Sequence, residues 1–117
     1  MGKYPKSRLL DKYSDWHWEN RELFRTNYLT DVDKIWVEIR SGDLVAVFDI
    51  KEPEAEITWV ETKVYDWFEK KGLPVYVVHT TEEFKEFKIR RWQNGEKRNF
   101  SQREYVDFLN NIKNSIF

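Results

Sequence analysis

The 117-residue chain contains no cysteine, which excludes disulfide staples, thiolate metal sites and cysteine nucleophiles. Glycine occurs four times and proline three times, so there is no glycine-rich phosphate loop and no flexible or polyproline linker. The two histidines, His17 and His79, are too far apart for a recognisable zinc motif. Neither a GxSxG elbow nor an HExxH pattern occurs. No apolar run approaches the roughly 20 residues of a membrane span. The opening "MGKYPKSRLLDKYSDW" has basic residues but no continuous apolar stretch, which argues against a secretory signal. A cytoplasmic location without a membrane partner is the simplest expectation.

Hydrophobic residues make up 40% of the chain and aromatics 17%, a composition that folds rather than stays disordered. The length suits one domain over 1–117, with 1–13 read as an N-terminal extension. A net charge of −1 does not mark a nucleic-acid binder, but the charge is uneven. Eight Lys/Arg against four Asp/Glu from Phe84 to Phe117 give +4, and the preceding residues carry −5. A basic C-terminal third can face a polyanion while the acidic part holds metal, although ordinary surface charge explains the same numbers.

Ser14-Asp15 is a candidate cap for a helix through "WHWENRELFR". "TNYLT" suggests a short strand, and Asp33–Arg40 with Asp43–Lys51 reads as a β-hairpin rich in Val, Ile, Phe and Trp. Pro53 suits the start of a helix over 54–71 in which Ile57, Val60, Val64, Trp67 and Phe68 recur at helical spacing. Gly72 caps that helix, and "PVYVVHT" reads as a buried strand reached by a helical crossover. "FKEFKIRRW" alternates like an edge strand, and "NGEK" is a turn. Ser101-Gln102-Arg103-Glu104 is a capping box opening a last helix with Tyr105, Phe108, Leu109 and Ile112 facing inward. Together these predict an α/β fold, a mixed central β-sheet flanked by helices.

The hairpin carries ions where strands usually have none. A two-residue loop would pair Arg40 with Asp43 and put Asp33 and Asp49 on opposite faces. A three-residue loop would use Gly42 in the left-handed conformation, pair Ile39 with Asp43, and set Asp33 opposite Asp49. The second register is expected because it uses the glycine. Two opposed carboxylates repel unless a divalent cation joins them. Magnesium or manganese would take oxygens from Asp33, Asp49 and the Ile50 carbonyl, plus waters and phosphate. Lys51, on the same side, would orient a metal-bound water or stabilise a phosphate under attack. Asp/Glu-x-Lys alone says little, since it recurs at Glu61, Glu69, Glu83 and Glu86. Its position at the end of an apolar strand is what distinguishes Asp49-Ile50-Lys51.

This layout resembles the PD-(D/E)xK nuclease superfamily. "DVDKIWVEIR" and "VAVFDIK" match its two motif strands, with Asp49 where glutamate is commoner. "ENREL" looks like the first-helix segment of Holliday-junction resolvases in that superfamily, which makes Glu19 the best match for a further metal acid and Glu22 its substitute. "LPVYVV" and "SQREYVDFL" are similar to segments of small phage and bacterial nuclease-like proteins. The resemblance covers residues 14–112. It implies a restriction-endonuclease-like αβββαβ core and hydrolysis of DNA phosphodiesters with magnesium or manganese. The chain departs from the resolvases in lacking their strongly basic character and their glycine-basic lead-in.

Arg90, Arg91 and Arg103 are the candidate DNA-phosphate contacts, with Lys97 and Arg98 beside them and a charged surface as the bland reading. Of the six tryptophans most are expected in the core, with Trp92 kept as a candidate base contact. His79 is placed beside the site, and Glu61 and Lys63 on a helix face that is solvated by default. Two further readings compete with an endonuclease. One is a non-catalytic nucleic-acid- or protein-binding module on the same fold; the other is a homodimer formed through the aromatic surface.

Overall fold

The computed structural model describes residues 8–24, 28–32, 35–40 and 43–112. Helix α1 spans Arg8–Glu19 and is followed by a 3-10 turn at Arg21–Phe24. Strands β1 (Tyr28–Val32), β2 (Ile35–Arg40) and β3 (Asp43–Lys51) lead into α2 (Trp59–Lys70). Strands β4 (Val75–Thr80), β5 (Glu86–Arg91) and β6 (Lys97–Ser101) then precede α3 (Gln102–Asn110). The six strands form one mixed sheet in sequential order, β1 to β6. Every neighbouring pair is antiparallel except β3 and β4, which run parallel because α2 carries the chain back across the sheet.

Side-chain alternation divides the sheet into two cores. Ala46, Phe48, Ile50, Tyr76, Val78, Phe87 and Ile89 pack against Leu9 and Tyr13 of α1 and Tyr105, Phe108 and Leu109 of α3. The opposite face is smaller: Val47, Val75 and Val77 lie under Tyr65 of α2, with Phe68 and Trp92 at the margin. Strand β4 is buried at five of its six positions because both faces are covered, which explains its unbroken apolar run.

Several expectations hold. The Ser101/Glu104 capping box opens α3, and Tyr105, Phe108, Leu109 and Ile112 are all buried. Gly72 ends α2 at φ +85°, where the Leu73 amide donates to the Phe68 carbonyl. Gly95, at φ +70°, turns β5 into β6.

Others are corrected. Helix α1 begins at Arg8, so Ser14 and Asp15 lie inside it. Residues 8–13, expected in an extension, supply the buried Leu9 and Tyr13. Helix α2 starts at its Thr58 N-cap rather than at 54, and its inward face is rotated. Tyr65 is buried there, while Val60 and Trp67 are 63% and 56% exposed. Trp18 and Trp59 are also exposed, so those indoles are not core. Strand β5 is not an edge: "KRNFS" forms β6 beside it. Lys97 and Arg98 in a strand exposed at nearly every position hid it from an apolar-pattern reading.

The hairpin register differs from the one expected. Arg40 pairs with Asp43 and Ile39 with Leu44, and a bulge then sets Glu38 opposite Ala46 and Trp36 opposite Phe48. The turn therefore follows the two-residue pairing, and the bulge absorbs one further residue of β3. Asp33 itself lies outside the described residues.

Candidate active site

Strand β3 alternates so that Phe48 and Ile50 enter the larger core, while Val47, Asp49 and Lys51 face α2. Asp49 is 4% exposed. The Tyr65 hydroxyl, one of the side chains with which α2 packs on the sheet, donates to Asp49 Oδ2. Lys51 Nζ stands 3.8 Å from the same oxygen and 2.6 Å from Glu61 Oε2. Glu61 is the third residue of α2, and its other oxygen accepts the Thr58 amide at 2.8 Å. One glutamate thus both caps the helix and holds the lysine.

Burial dominates the electrostatics. It pushes the Asp49 carboxyl up to about 6, against the opposing effects of the Tyr65 hydrogen bond and the Lys51 charge. Burial also raises the Tyr65 hydroxyl, reinforced by the Asp49 charge. Glu61 behaves oppositely: burial alone would raise it, but its bonds to Lys51 and Thr58 hold it below the ordinary carboxylate range. Asp49 is therefore a carboxylate whose ionised form is poorly solvated, beside a lysine locked in place by a well-stabilised acid.

A Tyr65→Phe variant tests this arrangement. Removing the donor withdraws a hydrogen bond to a charged group, worth about 1.5–3 kcal/mol. The expected result is lower stability at pH 8 and an Asp49 carboxyl titrating above 6, read by carbon-detected NMR.

The other predicted residues fall elsewhere. Ile50 turns its side chain into the larger core, away from Asp49 and Lys51. Glu19 ends α1, the helix packed on the opposite face of the sheet from α2, and is exposed. Glu22 and Arg103 line a hollow together on that same layer, between the 3-10 turn and α3. Neither the glutamates nor Arg103 are brought to Asp49. Among the described residues no group of three His, Cys, Asp or Glu side chains converges as a metal-binding set.

Arg91 is committed to Glu69, whose carboxylate also accepts the Val75 amide, and lies 5.4 Å from the Tyr76 ring centre. Arg90 lies 4.9 Å from the Trp92 ring centre, and its buried Nε has no hydrogen-bond partner among the described residues. Trp92 donates to Asp66 at 2.8 Å and meets Tyr65 edge to face, so it braces the smaller core. His79 lies beside Lys51 in the β3–β4 ladder, and its Nε2 is 3.0 Å from the Ala55 carbonyl oxygen.

Of the two further residues of the site, Glu61 is named in the sequence reading but assigned by default to a solvated face, and Tyr65 is missed. Glu61 was legible in principle, because Thr58-x-x-Glu61 is a capping-box pattern that fixes where α2 begins. Tyr65 carried no such signal. Among the described residues no helix is long and apolar enough to cross a membrane. No family model matches the chain, and no curated protein or solved structure matches it. Function is therefore argued from the site's own chemistry.

Proposed function

We propose that this chain is a divalent-metal-dependent phosphodiester hydrolase acting on DNA, of the PD-(D/E)xK type. The observation that carries the reading is the buried Asp49 at a strand end, titrating near 6 beside Lys51. An apolar pair would serve stability better in that place, and strongly perturbed carboxylates concentrate at functional sites. The element order α1-β1-β2-β3-α2-β4 agrees with the αβββαβ core expected of such nucleases.

The donor set suits magnesium or manganese. Asp49 supplies one carboxylate, and hard divalent ions need only one or two beside water and phosphate oxygens. Asp33, the other motif acid, would complete the set. A bound ion would supply Lewis acidity and an acidified water. The protein's own part is positional. Tyr65 fixes the Asp49 carboxylate, Glu61 fixes Lys51, and Lys51 presents its ammonium where negative charge develops on a phosphate under attack.

Manganese titration by calorimetry tests the reading. Uptake by the wild type that is lost in Asp33→Ala/Asp49→Ala, together with magnesium-dependent DNA cleavage, is the expected result. Absence of both favours the second reading, a binding module that does not cut. That alternative has an observation of its own: the Lys51–Glu61 pair satisfies the lysine without any ligand.

A further inference from the structure

Helix α2 turns an aromatic face away from the smaller core. Trp59, Lys63, Trp67 and Lys71 recur at every fourth position, which sets them along one side of the helix. Tyr65 marks the opposite, buried side. Trp59 is 72% exposed and Trp67 56%, with Val60 beside them at 63%. Lys63 Nζ lies 5.2 Å from the Trp59 ring centre, and Lys71 Nζ lies 5.5 Å from that of Trp67. Indoles left in water add no hydrophobic stabilisation to the fold, whereas cation–π pairs strengthen when they are desolvated.

Charge is polarised along the same helix. Glu52, Glu54 and Glu56 precede its Thr58 N-cap, Lys70 and Lys71 close it, and all five are exposed. Each pole suits the helix macrodipole, but the macrodipole does not account for the indoles between them. The poles discriminate among occupants. A nucleic-acid strand or an anionic membrane laid along α2 would meet the three glutamates at one end. A second copy laid antiparallel answers both ends. With a two-fold axis at Lys63, Trp59 faces the partner subunit's Trp67, and Glu56 reaches the partner subunit's Lys70. An isologous contact makes each pairing twice. Lys63 falls at the axis, over its own Trp59 and one turn from Asp66.

The area is adequate. Two indoles of up to ~250 Å² each, exposed to these extents, give with Val60 about 400 Å² of apolar surface. The stems of Lys63, Lys70 and Lys71 extend it. Two such faces together approach the ~1,000 Å² of a small specific interface.

We infer that the chain forms a two-fold homodimer in which α2 packs antiparallel on α2 of a second copy, indole against indole and acidic end against basic end. Asp49 and Lys51 lie between α2 and the sheet and take no part in it, so the dimer stands or falls apart from the hydrolase reading.

The test is sedimentation equilibrium of the full chain over roughly 1–200 µM. The wild type should dimerise with a Kd of about 1–100 µM. Trp67→Ala should weaken the dimer about tenfold or more. Glu56→Lys and Lys70→Glu, each alone, oppose like charges twice per dimer and should each weaken it about fivefold or more. The combined Glu56→Lys/Lys70→Glu protein restores opposite charges across the interface and should return to within about twofold of the wild type. Within one chain these two residues sit at opposite ends of about 18 Å of helix, so recovery requires a second copy. All three positions are exposed, and thermal melts verify folding of each variant. A wild type that stays monomeric, a dimer indifferent to Trp67→Ala, or charge reversals that the combination fails to rescue overturns the inference. Flotation with phosphatidylserine vesicles runs alongside: uptake of monomeric wild type that is lost in Trp67→Ala assigns the face to a membrane and overturns it as well.

Discussion

Asp49→Asn should raise stability and abolish cleavage in the same protein. The stability half follows from the raised carboxyl. In the unfolded chain an aspartate titrates near 3.9, whereas Asp49 in the fold titrates at about 6. Between those values the folded state holds a proton that the unfolded state has released. Stability is therefore greatest below pH ~4, falls as pH rises through 6, and stays lower above it. Two pKa units correspond to about 3 kcal/mol. An asparagine is neutral at every pH, and its amide oxygen can still accept from Tyr65. At pH 8 the variant should gain about 1–3 kcal/mol, a rise in Tm of several degrees for a domain of this size. At pH 4 the gain should vanish. The activity half follows from the lost charge: without an anionic oxygen at position 49, metal affinity and cleavage should fall by about 10²–10³-fold or more. Urea unfolding at both pH values and a magnesium-dependent cleavage assay check the two halves. Opposite signs for stability and activity are expected of a functional group held against its own solvation. A variant that loses stability at pH 8 would make Asp49 a structural residue.

Tyr105→Ala should be the most destabilising single change in the larger core. Tyr105 is fully buried, its ring lies parallel to Phe87 with centres 3.9 Å apart, and its hydroxyl meets that of Tyr13. Truncation opens a cavity between α3 and the sheet, and it deprives the buried Tyr13 hydroxyl of a partner from α3. The expected cost is about 3–5 kcal/mol. Tyr105→Phe separates the two contributions: it keeps the ring stack and should cost only about 1–2 kcal/mol. Equal losses in the two variants would place the energy in the hydroxyl pair rather than in packing. Chemical denaturation of both, with the slope compared to exclude loss of cooperativity, decides between them.

What the sequence disclosed followed from how local its causes were. The Ser101/Glu104 box, the Gly72 cap, the valine-rich β4 and the inward face of α3 depend on residues within a few positions of one another, and each was legible. The hairpin register was not: Gly42 argues for a three-residue loop whereas Arg40 pairs with Asp43, and the bulge at the third β2–β3 pair then changes the count where no residue type demands one. Strand β6 was hidden because an exposed strand needs no apolar alternation. The inward face of α2 was misplaced because Trp59, Val60 and Trp67 made the wrong side look like the core. At the site, Asp49 and Lys51 were found and Tyr65 was not. An aspartate in a strand conflicts with its surroundings, whereas a tyrosine on a helix conflicts with nothing.

The sequential order of the sheet bears on how the chain assembles. Each strand pairs with the one made just before it, and the longest detour is the α2 crossover between β3 and β4. Short-range pairings reach each other quickly, so the sheet can grow from one edge in the order of synthesis. Docking of α3 is different. It joins Tyr105 to Tyr13 across 92 positions of sequence and cannot happen until nearly the whole described chain exists. The aromatic pocket beneath α1 therefore stays open throughout elongation, and closing it is the step that converts a growing ribbon of strands into a sealed domain.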